Sequence, residues 1–226
     1  MSEYYNQTVE QVAADLKADP VNGLSSAEAQ RRLAEYGRNV LPTGEGTSVW
    51  KILLSQFAEM MVLVLIGAAV ISVFLNEVED ALVILVIVVL NAALGTYQEY
   101  RAEQALAALG AMQVPRVRIR RDGGVSEISA EELVPGDLVM LQEGDRIPAD
   151  GRLVLAKSLN IEEAALTGES QPVEKITDVI GGNEVPLGDR LNMAFMGTAI
   201  NFGRGEMLVT GTGLKTQLGK IATMLM

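Results

Sequence analysis

The groups that could carry out chemistry in this chain are carboxylates, hydroxyls and the backbone, because its 226 residues include neither Cys nor His. That composition excludes disulfides, thiolate zinc sites, Cys nucleophiles and His-based catalytic triads. The formal net charge of -11 also argues against a nucleic-acid partner, since affinity for the phosphate backbone comes largely from clustered Lys and Arg. Any active residue must therefore be sought among acidic and hydroxyl side chains.

Three acidic residues, Glu143, Asp145 and Asp150, lie close together in the sequence. They could suggest a glycosidase carboxylate pair or a calcium loop, but the alternating acids and terminal Glu of an EF-hand are missing. The segments 135–137 and 144–151 are rich in Pro, Gly and Asp. These residues form tight turns in which Asp accepts hydrogen bonds from nearby backbone N–H groups. We therefore predict that the segments 135–137 and 144–151 have a scaffolding role.

The segment 213–220 superficially resembles a nucleotide-binding P-loop. The spacing before Gly219-Lys220 is one residue too long, and Ile221 stands where a P-loop needs Ser or Thr. We expect that ATP is not bound there.

Between Pro135 and Pro172 the chain resembles the actuator domain of P-type ATPases at several ordered points. Any one motif would carry little weight, because Thr-Gly-Glu-Ser is also an ordinary turn composition, but the order and spacing of the motifs argue against coincidence. Residues 192–198 and 211–222 look like the closing part of the same domain, so the resemblance covers nearly the whole chain. The central motifs are Val134-Pro135-Gly136-Asp137, Gly144-Asp145-Arg146-Ile147-Pro148-Ala149-Asp150-Gly151, Leu166-Thr167-Gly168-Glu169-Ser170 and Pro172-Val173-Glu174.

The resemblance implies a reaction cycle in which an aspartate takes phosphate from ATP and is later hydrolysed. A carboxylate can orient the attacking water and accept its proton, and by resemblance Glu169 has this role. Gly168 would let the backbone approach the phosphoryl group. Thr167 and Ser170 would hold the loop or contact phosphate oxygens, whereas Glu163 in the preceding segment is expected to leave turnover near normal when neutralised. The alternative is a solvent-exposed turn with no role.

Upstream, the stretch from Gly23 to Pro42 is similar to the N-terminal cap of the type II, calcium-pump-like branch of the family. The heavy-metal branch fits less well, because the Cys-x-x-Cys modules that its members usually carry are absent. Glu162 and Ala164 stand where many members of the family have Asp and Ser, which weakens any assignment to a narrow subtype. The resemblance implies a pump for calcium or another inorganic cation, with ATP and Mg²⁺ as cofactors of the intact pump, neither of which is expected to bind this segment directly.

Two short helices are expected near the N-terminus. Thr8 with Gln11, and Ser25 with Glu28, fit the capping-box spacing, in which the cap hydroxyl and the third-residue side chain each satisfy a free N–H group. The second helix is expected to be amphipathic and to end at Gly37, where a left-handed cap is needed.

Two uncharged apolar runs, 60–75 and 81–97, predict a transmembrane hairpin. At 1.5 Å per residue each covers about 25 Å of a hydrocarbon core of roughly 30 Å, so flanking turns through Phe57 and Gln98 must contribute. Two buried helices of a soluble protein are the alternative, which the second run disfavours because it is apolar on every face. Glu59 is interpreted as an interfacial or cation-access residue, and Asn91 as a helix-packing residue.

The charges around the apolar runs predict their orientation. The connector 76–80 carries three acidic residues but no Lys or Arg, whereas Lys51 and Arg101 lie just beyond the outer ends. By the positive-inside bias both termini are cytoplasmic, and we expect an integral protein of the plasma membrane. The expected partners are the lipid bilayer, the transported cation and, by resemblance, the phosphorylation domain, nucleotide-binding domain and remaining membrane helices of the pump.

After residue 111 the pattern changes to short strands. Asp122-Gly123-Gly124 predicts a hairpin, and further strands are expected at 138–141, 152–155 and 207–210. The alternating arginines of 116–121 are interpreted as a solvated strand face rather than an anionic-lipid contact.

The expected fold class is an α+β membrane protein. It comprises a helical N-terminal cap (1–48), a two-helix transmembrane hairpin (49–100) and a mainly β actuator domain with a distorted, jelly-roll-like shape (101–226). No Asp-Lys-Thr-Gly-Thr segment occurs in the chain. Three interpretations stay open: a piece of a longer pump, which we favour, one half of a split pump, or a membrane-anchored regulatory or binding module. The reading frame after Met226 would distinguish them.

Overall fold

Two stretches of different amino-acid pattern fold as two separate units in the computed structural model. The globular unit combines residues 1–42 with 114–226, and the apolar-helix unit is residues 43–113. The structure describes residues 4–41, 48–111, 115–168, 171–182 and 184–225, with the backbone alone for 106–111 and 225.

Seven antiparallel strands form the sheet of the globular unit within the described residues. Their spatial order is β2-β1-β3-β7-β4-β5, with β6 paired to β4. The two longest strands, β4 and β7, pair with each other along most of their length and contain several register shifts. The expected strands at 152–155 and 207–210 are confirmed as parts of these longer ones. The strands are β1 Arg116–Arg121, β2 Gly124–Ser129, β3 Leu138–Gln142, β4 Asp150–Glu162, β5 Val173–Glu174, β6 Met193–Ala194 and β7 Ala199–Gly211.

The hairpin of β1 and β2 forms where the sequence predicts it. Asp122 and Gly123 both have positive φ, 51° and 74°, which is the conformation of a two-residue hairpin turn. The interpretation of the arginines as a solvated face is wrong for two of them. Arg120 pairs with Glu206 at 3.0 Å, and Arg121 donates to the buried Asp137 carboxylate at 2.7 Å, because both lie beside acidic residues of neighbouring segments.

The main apolar core lies on the sheet and is built mostly from strand residues, with further members from the turns between strands. Burial of these side chains is the principal stabilising term of the unit, at about 25 cal/mol for each Å² of apolar surface removed from water. The fully buried members with the largest side chains include Ile119, Leu133, Ile147, Leu153, Leu159, Ile161 and Met207.

Two N-terminal helices, α1 (Val9–Asp15) and α2 (Ser26–Tyr36), begin where the capping patterns predict. Thr8 and Gln11 make both bonds of the capping box. Ser25 accepts from the backbone N–H of Glu28 at 3.2 Å, but the Glu28 carboxylate pairs with arginines of its own helix, so the second box is half formed. The helix ends at Tyr36, and Gly37 follows it with a positive φ of 77°, which favours glycine, but its ψ of -177° is not that of the left-handed cap that the sequence predicts.

Buried polar side chains join α2 and the following segment to the turns of the sheet. The Arg32 guanidinium donates to the carbonyl oxygen of Pro135 at 2.7 Å. The Asn39 amide donates to the carbonyl oxygens of Ala130 and Pro148 at 3.0 and 2.9 Å. These bonds hold the N-terminal residues against the segments that carry the actuator-like motifs.

In the described part of the apolar-helix unit there are three helices: α3 (Val49–Phe57), α4 (Met60–Phe74) and α5 (Val78–Ala111). The stretch Val78–Ala105 of α5 is long and apolar enough to cross a membrane. α3 and α4 meet that test only as a pair, and they are bent by 59° at the break between them. The helical part of the first run is therefore confirmed. The flanking turn through Phe57, which was expected to contribute to the span, belongs to α3, whose direction differs from that of α4, so its contribution stays a prediction.

Large apolar side chains cover the outside of α4 and α5. Phe74 is 85% exposed and Leu90 is 65% exposed. Contiguous apolar surface of this extent is typical of lipid-facing helices and untypical of a soluble protein. Glu59 lies at the break before α4 and Asn91 is half-buried on α5, and their suggested roles stay predictions.

Candidate functional site

The loop that carries Thr167-Gly168-Glu169-Ser170 follows the end of β4. The short helix α6 (Ala164–Thr167) comes first, and Gly168 ends it in the left-handed conformation with φ 80°. A side chain at Gly168 would have open space around it, so the backbone conformation is what calls for glycine here. Glu169 and Ser170 lie outside the described residues.

Thr167 is held by the residue that precedes α6. Its hydroxyl donates to the carbonyl oxygen of Glu163 at 3.1 Å, and its backbone N–H donates to the same oxygen at 3.0 Å. Of the two expected uses of this hydroxyl, holding the loop is the one that the contacts favour. Contact with a phosphate oxygen stays a prediction.

Glu163 and Lys175 form a buried ion pair on the two sides of this loop. The Lys175 ammonium lies 2.6 Å from the Glu163 carboxylate, and both side chains are fully buried. Lys175 also lies 5.8 Å from the centre of the Phe195 ring. Apart from the ion pair, neither charged group has a hydrogen-bond partner in the described part of the chain. Glu163 is therefore a buried, paired acid, and the expected near-normal turnover of a neutralised Glu163 stays a prediction.

Burial and charge act in opposite directions on this pair. Burial raises the pKa of the Glu163 carboxyl, and the Lys175 charge opposes that rise. Burial lowers the pKa of the Lys175 ammonium, and the Glu163 charge opposes that fall. Desolvation disfavours each charge alone, so each group depends on the other.

The far side of the loop returns to the same strand. β5 pairs with β4 through Asn160 opposite Glu174 and Ile161 opposite Val173. The backbone N–H of Lys175 donates to the carbonyl oxygen of Leu159 at 2.8 Å. Both ends of the loop are thus fixed to the end of β4.

The carboxylates of the turn motifs bond to the backbone and to arginine. Asp137 is buried and accepts from Arg121 and from the backbone N–H of Val134 at 2.9 Å. Asp145 accepts from the backbone N–H of Gln142 at 3.0 Å. The predicted scaffolding role of these residues is confirmed. Within the described ranges, no group of three or more acidic side chains is placed to hold a metal ion.

Asp150 joins three distant segments. Its two carboxylate oxygens accept from the backbone N–H groups of Met196 and Gln217, at 2.9 and 2.7 Å. The second bond caps the first turn of α7 (Gln217–Leu225), and Asn39 accepts from the backbone N–H of Gly213 at 2.8 Å. Side-chain oxygens of Asp150 and Asn39 thus accept hydrogen bonds from backbone N–H groups in the segment that superficially resembles a P-loop. Burial raises the pKa of Asp150 to about 6.

Sequence reasoning missed Arg152, which has the largest fully buried side chain among the described residues. Its guanidinium donates to carbonyl oxygens of four residues in separate segments, and burial lowers its pKa. The pattern of β4 contains no signal for this, since a single arginine in a strand is usually at the surface. The acceptors and distances are Leu153 at 2.8 Å, Thr177 at 2.9 Å, Gln7 at 3.2 Å and Asn192 at 3.4 Å.

Comparison with known families gives two matches that together span most of the chain. The model described as the P-type ATPase actuator domain matches residues 111–226. The model described as the N-terminus of cation transporters and ATPases matches residues 4–72. The first match contains the loop, the ion pair and the buried Asp150 and Arg152.

Several curated proteins are similar to the chain over nearly all of its length. A calcium-transporting ATPase of Bacillus cereus is 46% identical over 231 residues, which is 100% of this chain and 26% of the relative. A calcium-transporting ATPase of Bacillus subtilis is 50% identical over 203 residues, 90% of this chain and 23% of the relative. A cation-transporting ATPase of Synechocystis is 37% identical over 219 residues, 97% of this chain and 24% of the relative. The chain spans about a quarter of the length of these relatives.

Proposed function

The chain belongs to the P-type ATPase family, and from that premise we propose that it is the N-terminal portion of an ATP-driven pump for calcium or another inorganic cation. The observation that carries the proposal is the actuator-domain match over residues 111–226, in a chain that also contains an apolar helix long enough to cross a membrane. The relatives named as calcium-transporting favour calcium. The phosphorylation and nucleotide-binding domains would be the partners of this portion in the intact pump, which would use ATP and Mg²⁺.

We propose that Glu169 is the catalytic residue of the phosphoenzyme hydrolysis step. ATP would supply the phosphoryl group to an aspartate of another domain. The water oxygen then forms a bond to phosphorus, the bond between phosphorus and the aspartate oxygen breaks, and Glu169 accepts the water proton. General-base catalysis of this kind contributes roughly 10²–10⁴-fold in rate. Thr167, Gly168 and Ser170 would shape the loop, in keeping with the bonds of Thr167 to Glu163.

We further propose that the globular unit couples hydrolysis to movement of the membrane helices. α5 ends at Ala111 and β1 begins at Arg116, so a short stretch of chain joins the two units on this side. A movement of the globular unit would be transmitted through that stretch to a helix that is 34 residues long.

For the orientation, we propose a plasma-membrane protein with both termini in the cytoplasm, because the acidic connector 76–80 has no positive charge. In this Cys-free chain, a single Cys introduced at Asn76 should react with an impermeant reagent from outside the cell. One introduced at Ser158 should not. The reverse pattern would contradict the orientation.

The proposal is tested by cation-stimulated ATP hydrolysis of the intact pump, or of a chimera in which this chain replaces the matching residues of the Bacillus subtilis relative. Calcium, magnesium, manganese and sodium are compared. We expect one of them to stimulate ATP hydrolysis and the formation of an acid-stable phosphoenzyme. The isolated chain, incubated with labelled ATP and Mg²⁺, should stay unlabelled. An intact protein that never forms the phosphoenzyme would contradict the pump and favour a regulatory module.

A further inference from the structure

Glu163 and Lys175 lie on the two sides of the segment 164–174, and we propose that their buried ion pair is a clip that positions this segment for phosphoenzyme hydrolysis. Both are positioning residues, since the proposal gives neither of them contact with the phosphoryl group. The proposal rests on the proposed function of Glu169, which lies within this segment in the sequence.

The pair closes the segment at its base. Glu163 follows directly after β4, and Lys175 follows directly after β5, which is paired to the same end of β4. The 2.6 Å contact between the charged groups therefore limits the ends of the segment to one separation. A constraint at the base reduces the conformations open to a short loop.

The clip is joined to the loop motif through the backbone of Glu163. The carbonyl oxygen of Glu163 accepts from the backbone N–H groups of Leu166 and Thr167, at 2.9 and 3.0 Å, and from the Thr167 hydroxyl at 3.1 Å. The backbone N–H of Gly168 donates to the neighbouring Ala164 carbonyl oxygen at 3.0 Å. A displacement of Glu163 would therefore move the first two residues of the motif.

The charges fix the distance between the two side chains more tightly than an apolar pair would. Among the described residues neither charge has another hydrogen-bond partner. Buried charges are strongly unfavourable when they are separated, so the segment cannot spread at its base without leaving one of them unpaired. An apolar pair of the same size would tolerate sliding, because apolar attraction is not directional. Loss of one charge and loss of both charges should thus have different consequences.

The first arm of the test measures hydrogen exchange of the full chain in lipid nanodiscs. Neutralising one partner, as in Glu163→Gln or Lys175→Met, leaves a buried charge unpaired, so exchange of the amides in 164–174 should accelerate on the order of 10²-fold. An unpaired buried charge should also speed the exchange of the β4 and β7 amides in the single variants. The double variant Glu163→Gln/Lys175→Met has no unpaired charge, so its β4 and β7 amides should be protected as in the wild type, while the amides of 164–174 still exchange fast. Glu162→Gln, exposed and one residue away, is the matched control and should exchange as wild type.

The second arm measures phosphoenzyme formation and decay in the intact pump or chimera. The double variant should form the phosphoenzyme at the wild-type level but lose it on the order of 10²-fold more slowly, because small misplacements of catalytic groups have effects of that size. If the Glu163–Lys175 pair only stabilised the fold, the phosphoenzyme of the double variant would decay at the wild-type rate, because its sheet is again protected. That result, or unchanged exchange of 164–174 in all variants, would overturn the clip.

Glu169→Gln separates this inference from the function on which it rests. Slow decay in Glu169→Gln together with wild-type decay in the double variant would overturn the clip alone. Wild-type decay in Glu169→Gln would overturn both the catalytic assignment and the positioning role.

Discussion

The globular unit buries charged side chains, whereas the apolar-helix unit exposes apolar ones. In the globular unit Asp150, Arg152, Glu163 and Lys175 are buried, and each has a polar or charged partner. In the apolar-helix unit many large apolar side chains are exposed, as at Leu85 with 57% exposure, although Ile52, Val62 and Val88 are buried. Both units obey one rule, that polar groups need partners away from water and apolar groups avoid water. The difference indicates that the second unit, and not the first, has the surface expected of membrane-associated helices.

The largest effect should come from removing a buried charge of the globular unit. Arg152→Met leaves the carbonyl oxygens of four residues without their donor, which should destabilise the unit by about 3–5 kcal/mol, as for a broken buried polar network. Hydrogen exchange of the β4 and β7 amides in the full chain measures this loss of stability, because those amides belong to the globular unit. Arg204→Met, at an exposed position of β7, is the control and should change the stability by less than about 0.5 kcal/mol. Equal effects of the two substitutions would show that burial does not distinguish these arginines.

The two units should respond differently to an added charge at equal exposure. Leu85 of α5 and Phe202 of β7 are both 57% exposed. Leu85→Arg should raise the free energy of membrane insertion of α5 by about 3–4 kcal/mol, because arginine near the middle of a spanning helix is unfavourable. Phe202→Arg should change the stability of the globular unit by less than about 0.5 kcal/mol. A microsomal insertion assay of α5 and hydrogen exchange of β7 measure the two values, and efficient insertion of the Leu85→Arg helix would argue against lipid contact there.

A smaller effect should appear as a pH dependence of the globular unit. Burial raises the pKa of Asp150 from its ordinary value near 3.8 to about 6. Because the folded-state pKa is the higher one, the contribution to stability is fully present below about pH 4 and is lost as the pH rises through about 6. A shift of this size corresponds to on the order of 3 kcal/mol.

The measurement for Asp150 compares denaturant titrations of the wild type and Asp150→Asn between pH 4 and pH 7. Asp150→Asn cannot titrate, so it should lose this part of the pH dependence even though its amide replaces one acceptor oxygen. Identical pH profiles of the two proteins would contradict the shifted pKa.

Much of the fold follows from local patterns in the sequence. The Thr8 capping box, the Asp122-Gly123 turn and the two apolar runs each act over a few residues, so their elements were predictable. The ends of β4 and β7 were not, because most of their length is set by pairing with each other across about 50 residues of chain. The bend before α4 was also missed, since the residues around Ala58 contain neither proline nor glycine to signal it.

The candidate site divides in the same way. Resemblance to a family identifies Thr167 to Ser170, and the turn chemistry of Asp137 follows from neighbouring residues. The partners of Arg152 and Lys175 lie up to about 145 residues away or across a loop, so no local pattern reveals them. Glu163 shows the consequence most clearly, because in sequence it is one more acid beside Glu162, whereas in the fold it is fully buried and Glu162 is exposed.

The central claim is that Glu169 acts as the base in phosphoenzyme hydrolysis, and its most direct test is the decay of labelled phosphoenzyme after a chase with unlabelled ATP. In the intact pump or chimera, Glu169→Gln should still accept phosphate but release it roughly 10²–10⁴-fold more slowly, a change of about 3–5 kcal/mol in the barrier. Glu162→Gln is the control and should decay as wild type. Wild-type decay in Glu169→Gln would contradict the claim and reduce residues 167–170 to an ordinary turn.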